Sequence, residues 1–103
     1  MAAYHNVTNQ TTKQLIAAGA GKKVKGISIV NVNDSISCTV DLYIEKSKEG
    51  RFYLLKTIEL STKTTLVLSR DEVKYDFRNF GLYIKITKLG SGSGEPAVDV
   101  IIS

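Results

Sequence analysis

The chain has 103 residues, 43% of them hydrophobic, no tryptophan, one cysteine, and 14 basic against 10 acidic side chains for a net charge of +4. That length holds one modest core and no second domain, and the hydrophobic fraction is that of an ordinary globule. A single cysteine excludes an internal disulfide, and no run of eighteen apolar residues is present to form a membrane-spanning helix.

Residues 1–13 are polar and nearly patternless, with Tyr4 and Val7 as the apolar bodies. They read as a flexible N-terminal arm, ordered by contact with something outside the domain, which leaves residues 14–103 as the folded unit. Residues 1–20 carry no apolar run resembling a signal peptide, so synthesis in a reducing cytoplasm is expected. Leu15 and Ile16 begin a short first strand, and Gly19-Ala20-Gly21 supplies a turn. Val24 to Val32 forms the next strand. Its apolar residues change register between Ile29 and Val30, which predicts a bulge near Ile29 or burial on both faces.

Asn31 to Ser37 is rich in turn residues. From Cys38 the apolar residues recur at every second position: Cys38, Val40, Leu42 and Ile44 on one side, Thr39, Asp41, Tyr43 and Glu45 on the other. A period of two means a strand with one dry face. Arg51 to Leu60 repeats it with Phe52, Leu54, Ile58 and Leu60 sharing a face, and Thr65 to Ser69 places Leu66 and Leu68 inward. Arg70 to Asn79 reads as a short turn followed by extended chain. Phe80, Leu82, Ile84 and Ile86, then Val98, Val100 and Ile102, complete the pattern, joined by a Gly-Ser-rich loop. About seven such strands close over one another as an antiparallel β-sandwich, jelly-roll or immunoglobulin-like in outline.

The residues that could carry chemistry are sparse. The lone histidine, His5, sits in the polar arm, without the Cys and His cluster that a metal needs or the nucleophile, base and orienter of a hydrolase. Gly19-Ala-Gly-Lys-Lys23 has Ile16 where a P-loop requires glycine and no Ser or Thr after Lys22. Gly90-Ser-Gly-Ser-Gly94 joins two strands instead of opening a helix, so both are turns. Cys38 begins a buried face and reads as a small hydrophobe. No cofactor is implied, and the pattern points away from an enzyme. Surface candidates remain: Lys22, Lys23 and Lys25 around the first turn, Tyr43 and Tyr83 facing away from the core, with Tyr53 a further candidate, and Tyr4, His5 and Val7 of the arm. Tyrosine gives rigid contact area with a polar tip, as protein interfaces use.

The order of segments resembles that of small all-β virion proteins of tailed bacteriophages. The similarity is carried by Ala18-Gly-Ala-Gly-Lys22, Lys25-Gly-Ile-Ser-Ile-Val-Asn-Val-Asn33, Thr39-Val-Asp-Leu-Tyr-Ile44, Phe52-Tyr-Leu-Leu-Lys-Thr-Ile-Glu-Leu60, Thr65-Leu-Val-Leu68 and Val98-Asp-Val-Ile-Ile102. The resemblance implies a head decoration protein or a neck or tail accessory, made in the host cytoplasm and resident in the virion. It would be present in many copies or as a homo-oligomer bound to capsid, neck or tail proteins. The alternative is a β module that binds carbohydrate or nucleic acid through Tyr43, Tyr83 and the lysines.

Overall fold

The computed structural model describes residues 3–19, 24–33, 35–46, 50–69, 79–90 and 94–103. Among them are eight strands and no helix: β1 Ala3–Thr8, β2 Thr12–Ile16, β3 Ile27–Asn31, β4 Cys38–Lys46, β5 Gly50–Leu60, β6 Thr65–Leu68, β7 Gly81–Lys88 and β8 Ala97–Ile102. They form two antiparallel four-stranded sheets, ordered β1-β8-β3-β6 and β2-β7-β4-β5. β1 pairs with β8, β2 with β7, β3 with β6 and β4 with β5. The chain is thus one long hairpin rolled up on itself, and further pairing of β3 with β8 and of β4 with β7 closes each roll. The expected all-β class stands.

Alternation builds the core. Ile27 and Ile29 of β3 and Val98, Val100 and Ile102 of β8 join Cys38, Val40 and Leu42 of β4 and Leu82, Ile84 and Ile86 of β7 in one buried cluster. Each large aliphatic side chain removed from water there stabilises the fold by about 1.5–3 kcal/mol. Both sheets contribute, so neither can shed its inner face without the other.

Residues 3–8, expected as part of an arm, are instead an edge strand in full register with β8, from Ala3 opposite Ile102 to Thr8 opposite Ala97. Its inward residues are Ala3, His5 and Val7, and a small, a polar and a single aliphatic side chain give too weak an apolar signal to read as a strand. Val7 is buried in the core and is not available as a contact residue.

Three further differences have local causes. β3 shows no register shift in either of its pairings; the alternation simply continues inward to a polar residue, the fully buried Asn31, and this breaks the apolar pattern of the sequence. Its Nδ2 donates to the Ile36 and Leu60 carbonyls at 3.0 and 3.1 Å, and its Oδ1 accepts the Asn33 amide at 3.0 Å. β5 carries two irregularities, so the residues opposite Ile44, Leu42, Val40 and Cys38 are Phe52, Leu55, Ile58 and Leu60; Leu54 and Leu55 both pack against the core, whereas Phe52 and Ile58, expected inward, are exposed. In the second, Thr57 adopts φ 52° and its amide donates to Asp41 Oδ1 at 2.5 Å. Asp41, placed by alternation on the outward side of its strand, therefore holds a bulge. The segment 70–78 and the turn residues 20–23 lie outside the described residues.

Candidate interaction surfaces

The outer faces of the two sheets differ in chemistry. On the sheet β2-β7-β4-β5, Gln14, Tyr83, Tyr43 and Tyr53 stand in one row across all four strands. Neighbouring strands lie about 4.8 Å apart, so side chains in one row must touch. The Tyr43 and Tyr83 rings stack with centroids 5.5 Å apart and 11° between planes, and the Tyr53 ring tilts against Tyr43 at 5.3 Å. Gln14 Nε2 donates to the Tyr83 hydroxyl at 3.1 Å. In the flanking row, Arg51 donates to the Tyr53 hydroxyl at 3.2 Å and to Glu45 at 3.3 Å, and its guanidinium lies 4.2 Å from the Tyr43 ring centre. Lys56 sits at the same distance over Tyr53.

This packing changes what the tyrosines can do. Tyr43, expected on an open surface, is only 2% exposed, because a tyrosine on each neighbouring strand and an arginine above enclose it. Burial pushes its phenol pKa up, partly opposed by the nearby Arg51 charge. Tyr53 shifts the other way: the Arg51 hydrogen bond to its oxygen favours the phenolate. Tyr83 is half-buried. With cations already over the Tyr43 and Tyr53 rings, those ring faces are occupied within the chain. Arg51 was not legible as part of this group, since the β4–β5 register that brings it over Tyr43 is set by pairing and not by sequence spacing.

The outer face of the sheet β1-β8-β3-β6 is of another kind. One row runs Tyr4, Ile101, Ser28, Val67, and the next runs Asn6, Asp99, Val30, Thr65. Tyr4 is 73% exposed, Val67 64% and Ile101 39%. Asp99 is the only residue in these two rows charged at neutral pH, and it accepts a hydrogen bond from Asn6 Nδ2 at 2.6 Å. A protein in which 23% of residues are charged thus presents, among the described residues, an exposed face nearly free of charge.

Tyr4 is therefore outward on this face, whereas His5, its neighbour in β1, points inward and is half-buried opposite Val100. Lys25 is exposed beside the end of β3, its amide donating to the Ser103 carbonyl at 2.6 Å, while Lys22 and Lys23 lie outside the described residues. The expected contact residues thus separate into two groups on opposite sheets: Tyr43 and Tyr83 on one, Tyr4 on the other. Among the described residues no three His, Cys, Asp or Glu side chains come together as a metal site. Cys38 is fully buried, and desolvation pushes its thiol pKa up, away from the reactive thiolate. A depression of about 120 Å³ lies between Tyr4, His5, Asn6, Asp99, Val100 and Ile101, below the roughly 300–1,000 Å³ of small-molecule sites. No protein-family model matches the chain, and a comparison with curated proteins finds no match.

Proposed function

We propose that this chain is a non-enzymatic structural protein of a bacteriophage particle, a head decoration protein or a neck or tail accessory. In this reading it binds other virion proteins and further copies of itself through β1 and the outer sheet faces, and it resides in the virion. Its eight described strands would form a jelly-roll sandwich. The strand order β1-β8-β3-β6 over β2-β7-β4-β5 supports this, because a chain-long hairpin rolled into two sheets is the arrangement of eight-stranded jelly rolls, which include viral capsid domains. A fold hosts many functions, so the functional step needs a site. The observation that carries it is the exposed, almost uncharged face bearing Tyr4, Ile101 and Val67. Such a face is suited to burial against protein and poorly suited to a phosphate backbone.

The alternative, a module for carbohydrate or nucleic acid, would draw on Tyr43 and Tyr83. The enclosure of Tyr43 under Arg51 removes the stacking surface that reading needs.

Gradient fractionation of lysate from the native source tests the proposal. The protein should migrate with particles far heavier than its own 11.3 kDa. It should stay with them when salt is raised to about 1 M, where the Debye length falls to about 3 Å. Recovery only as free protein, or release in step with added salt, would refute it.

A further inference from the structure

We infer that β1 is a self-pairing edge, through which two copies of this chain join antiparallel across a two-fold axis into one continuous eight-stranded sheet. The inference specifies the self-contact named in the proposed function but does not need the particle reading, since it rests on the sheet edge alone.

The backbone pattern shows which groups are unused by the sheet. Asn9 donates its amide to the Pro96 carbonyl at 2.9 Å, and Val32 and Ser103 fix the odd-numbered residues of β8 as those bonded to β3. Antiparallel pairs alternate between hydrogen-bonded and non-hydrogen-bonded positions. Ala3, His5 and Val7 are consequently the residues of β1 bonded to β8, and Tyr4, Asn6 and Thr8 direct their N–H and C=O groups away from the sheet. Asn6 O fits this assignment, because Lys13 Nζ approaches it from outside at 3.4 Å. That contact is long for a hydrogen bond, and a partner's amide would replace it.

The two sheets treat their edges differently. At the edges of β2-β7-β4-β5, β2 has a register shift between Gln14 and Ile16, and β5 has two shifts with Arg51, Lys56 and Glu59 along its length. Bulges and charges are the usual devices that keep an edge from pairing. β1 has neither: its six residues, AYHNVT, pair with β8 without a shift and include no Lys, Arg, Asp, Glu or Pro. The other edge of the same sheet, β6, is also even but only four residues long.

A second copy is the occupant that this edge fits without further assumptions. An antiparallel strand is complementary to itself about a two-fold axis, so one sequence supplies both sides. The register centred on Asn6 sets Asn6 opposite its own copy and Tyr4 opposite Thr8, an aromatic and a β-branched residue that favour each other across strands. All three outward-directed residues then form hydrogen-bonded pairs. The two nearly uncharged outer faces merge, and the exposed Tyr4 side chains come to the middle of the joint face. Against association stand the two Lys13 ammonium groups, brought near the axis by their contacts with Asn6.

Symmetric disulfide trapping tests the pairing. In the Asn6-centred register the two Asn6 Cα atoms lie about 5.5 Å apart, within disulfide reach. Asn6→Cys should form a covalent dimer under mild oxidation, while Val67→Cys, exposed on β6, should stay monomeric; Cys38 is buried and gives no background. The untouched chain should show, by sedimentation equilibrium, a mass rising with concentration toward twice 11.3 kDa. Asn6→Pro removes an outward N–H that β8 does not use, and should weaken self-association at least tenfold while leaving the β1–β8 pairing folded. Lys13→Ala should strengthen it. A wild-type chain that stays monomeric up to millimolar concentration, or Asn6→Cys trapping no faster than Val67→Cys, overturns the inference. Neither result bears on whether the protein travels with particles.

Discussion

Replacing Asn31 by leucine is the most informative single change to the interior. The side chain is fully buried and makes three hydrogen bonds: to the Ile36 carbonyl beyond β3, to the Leu60 carbonyl at the end of β5, and from the Asn33 amide. Its own backbone adds bonds to Thr64 and Lys63 in the β5–β6 turn, so one residue ties the β3–β4 and β5–β6 connections together at one end of the molecule. Leucine fills a similar volume and gains a little from apolar burial, but it leaves two buried carbonyls without donors. Each such orphan costs about 1–3 kcal/mol, giving a net loss of about 3 kcal/mol. Against a total stability of roughly 5–15 kcal/mol for a chain of this size, the variant stays folded but melts roughly 12–24 °C lower. Urea titration followed by circular dichroism measures the loss directly, with Asn6→Ala on the exposed edge as a control expected to change stability by no more than about 0.5 kcal/mol. If Asn31→Leu costs under about 1 kcal/mol, the two carbonyls have found other donors and the stapling role is wrong.

Other consequences follow from the same geometry. Thr57 is a β-branched residue at φ 52°, so Thr57→Gly should stabilise by up to about 1 kcal/mol in urea titration, whereas Asp41→Ala should cost about 1–2 kcal/mol by releasing the bulge amide; a destabilised Thr57→Gly or a stabilised Asp41→Ala would disprove the strained, carboxylate-held bulge. Cys38 should react with a thiol reagent only as fast as the chain unfolds, and native labelling at the rate of the urea-unfolded chain would contradict its burial. In alkaline titration Tyr53 should ionise early, because Arg51 favours its phenolate, and Arg51→Ala should move that step upward. Tyr43 should ionise late. Its folded-state pKa lies above the ordinary 10.0, so its neutral phenol contributes stability fully below that pH and loses it as pH rises through the folded value. Tyr43→Phe should flatten this alkaline loss, and an unchanged profile would show that burial of Tyr43 is not its source.

The sequence exposes those parts of the fold where the apolar pattern is strong and uninterrupted. β4, β7 and β8 read correctly face by face, since Cys38 to Ile44, Leu82 to Ile86 and Val98 to Ile102 alternate cleanly and the structure buries the predicted side. Where the inward position is polar or small, the signal fails: His5 and Ala3 hide β1, and Asn31 imitates a register change in β3. Bulges are invisible for a different reason. Leu54 and Leu55 are adjacent and both apolar, so only the pairing shows that Leu55 stands opposite Leu42 while both pack against the core. The surfaces were legible only in part. Alternation put Tyr43 and Tyr83 on the outer face, but their stacking and enclosure depend on which residues stand opposite in neighbouring strands, and that register is a tertiary property.

Residue-resolved amide hydrogen exchange over β1 tests the central claim most directly, that residues 3–8 are an integral edge strand with an alternating inner and outer side. In dilute solution the amides of His5 and Val7 should be protected by β8, and those of Tyr4, Asn6 and Thr8 should exchange freely; raising the concentration should slow the second group while leaving the first unchanged. Uniformly fast exchange across residues 3–8 at every concentration would contradict both the strand and its pairing.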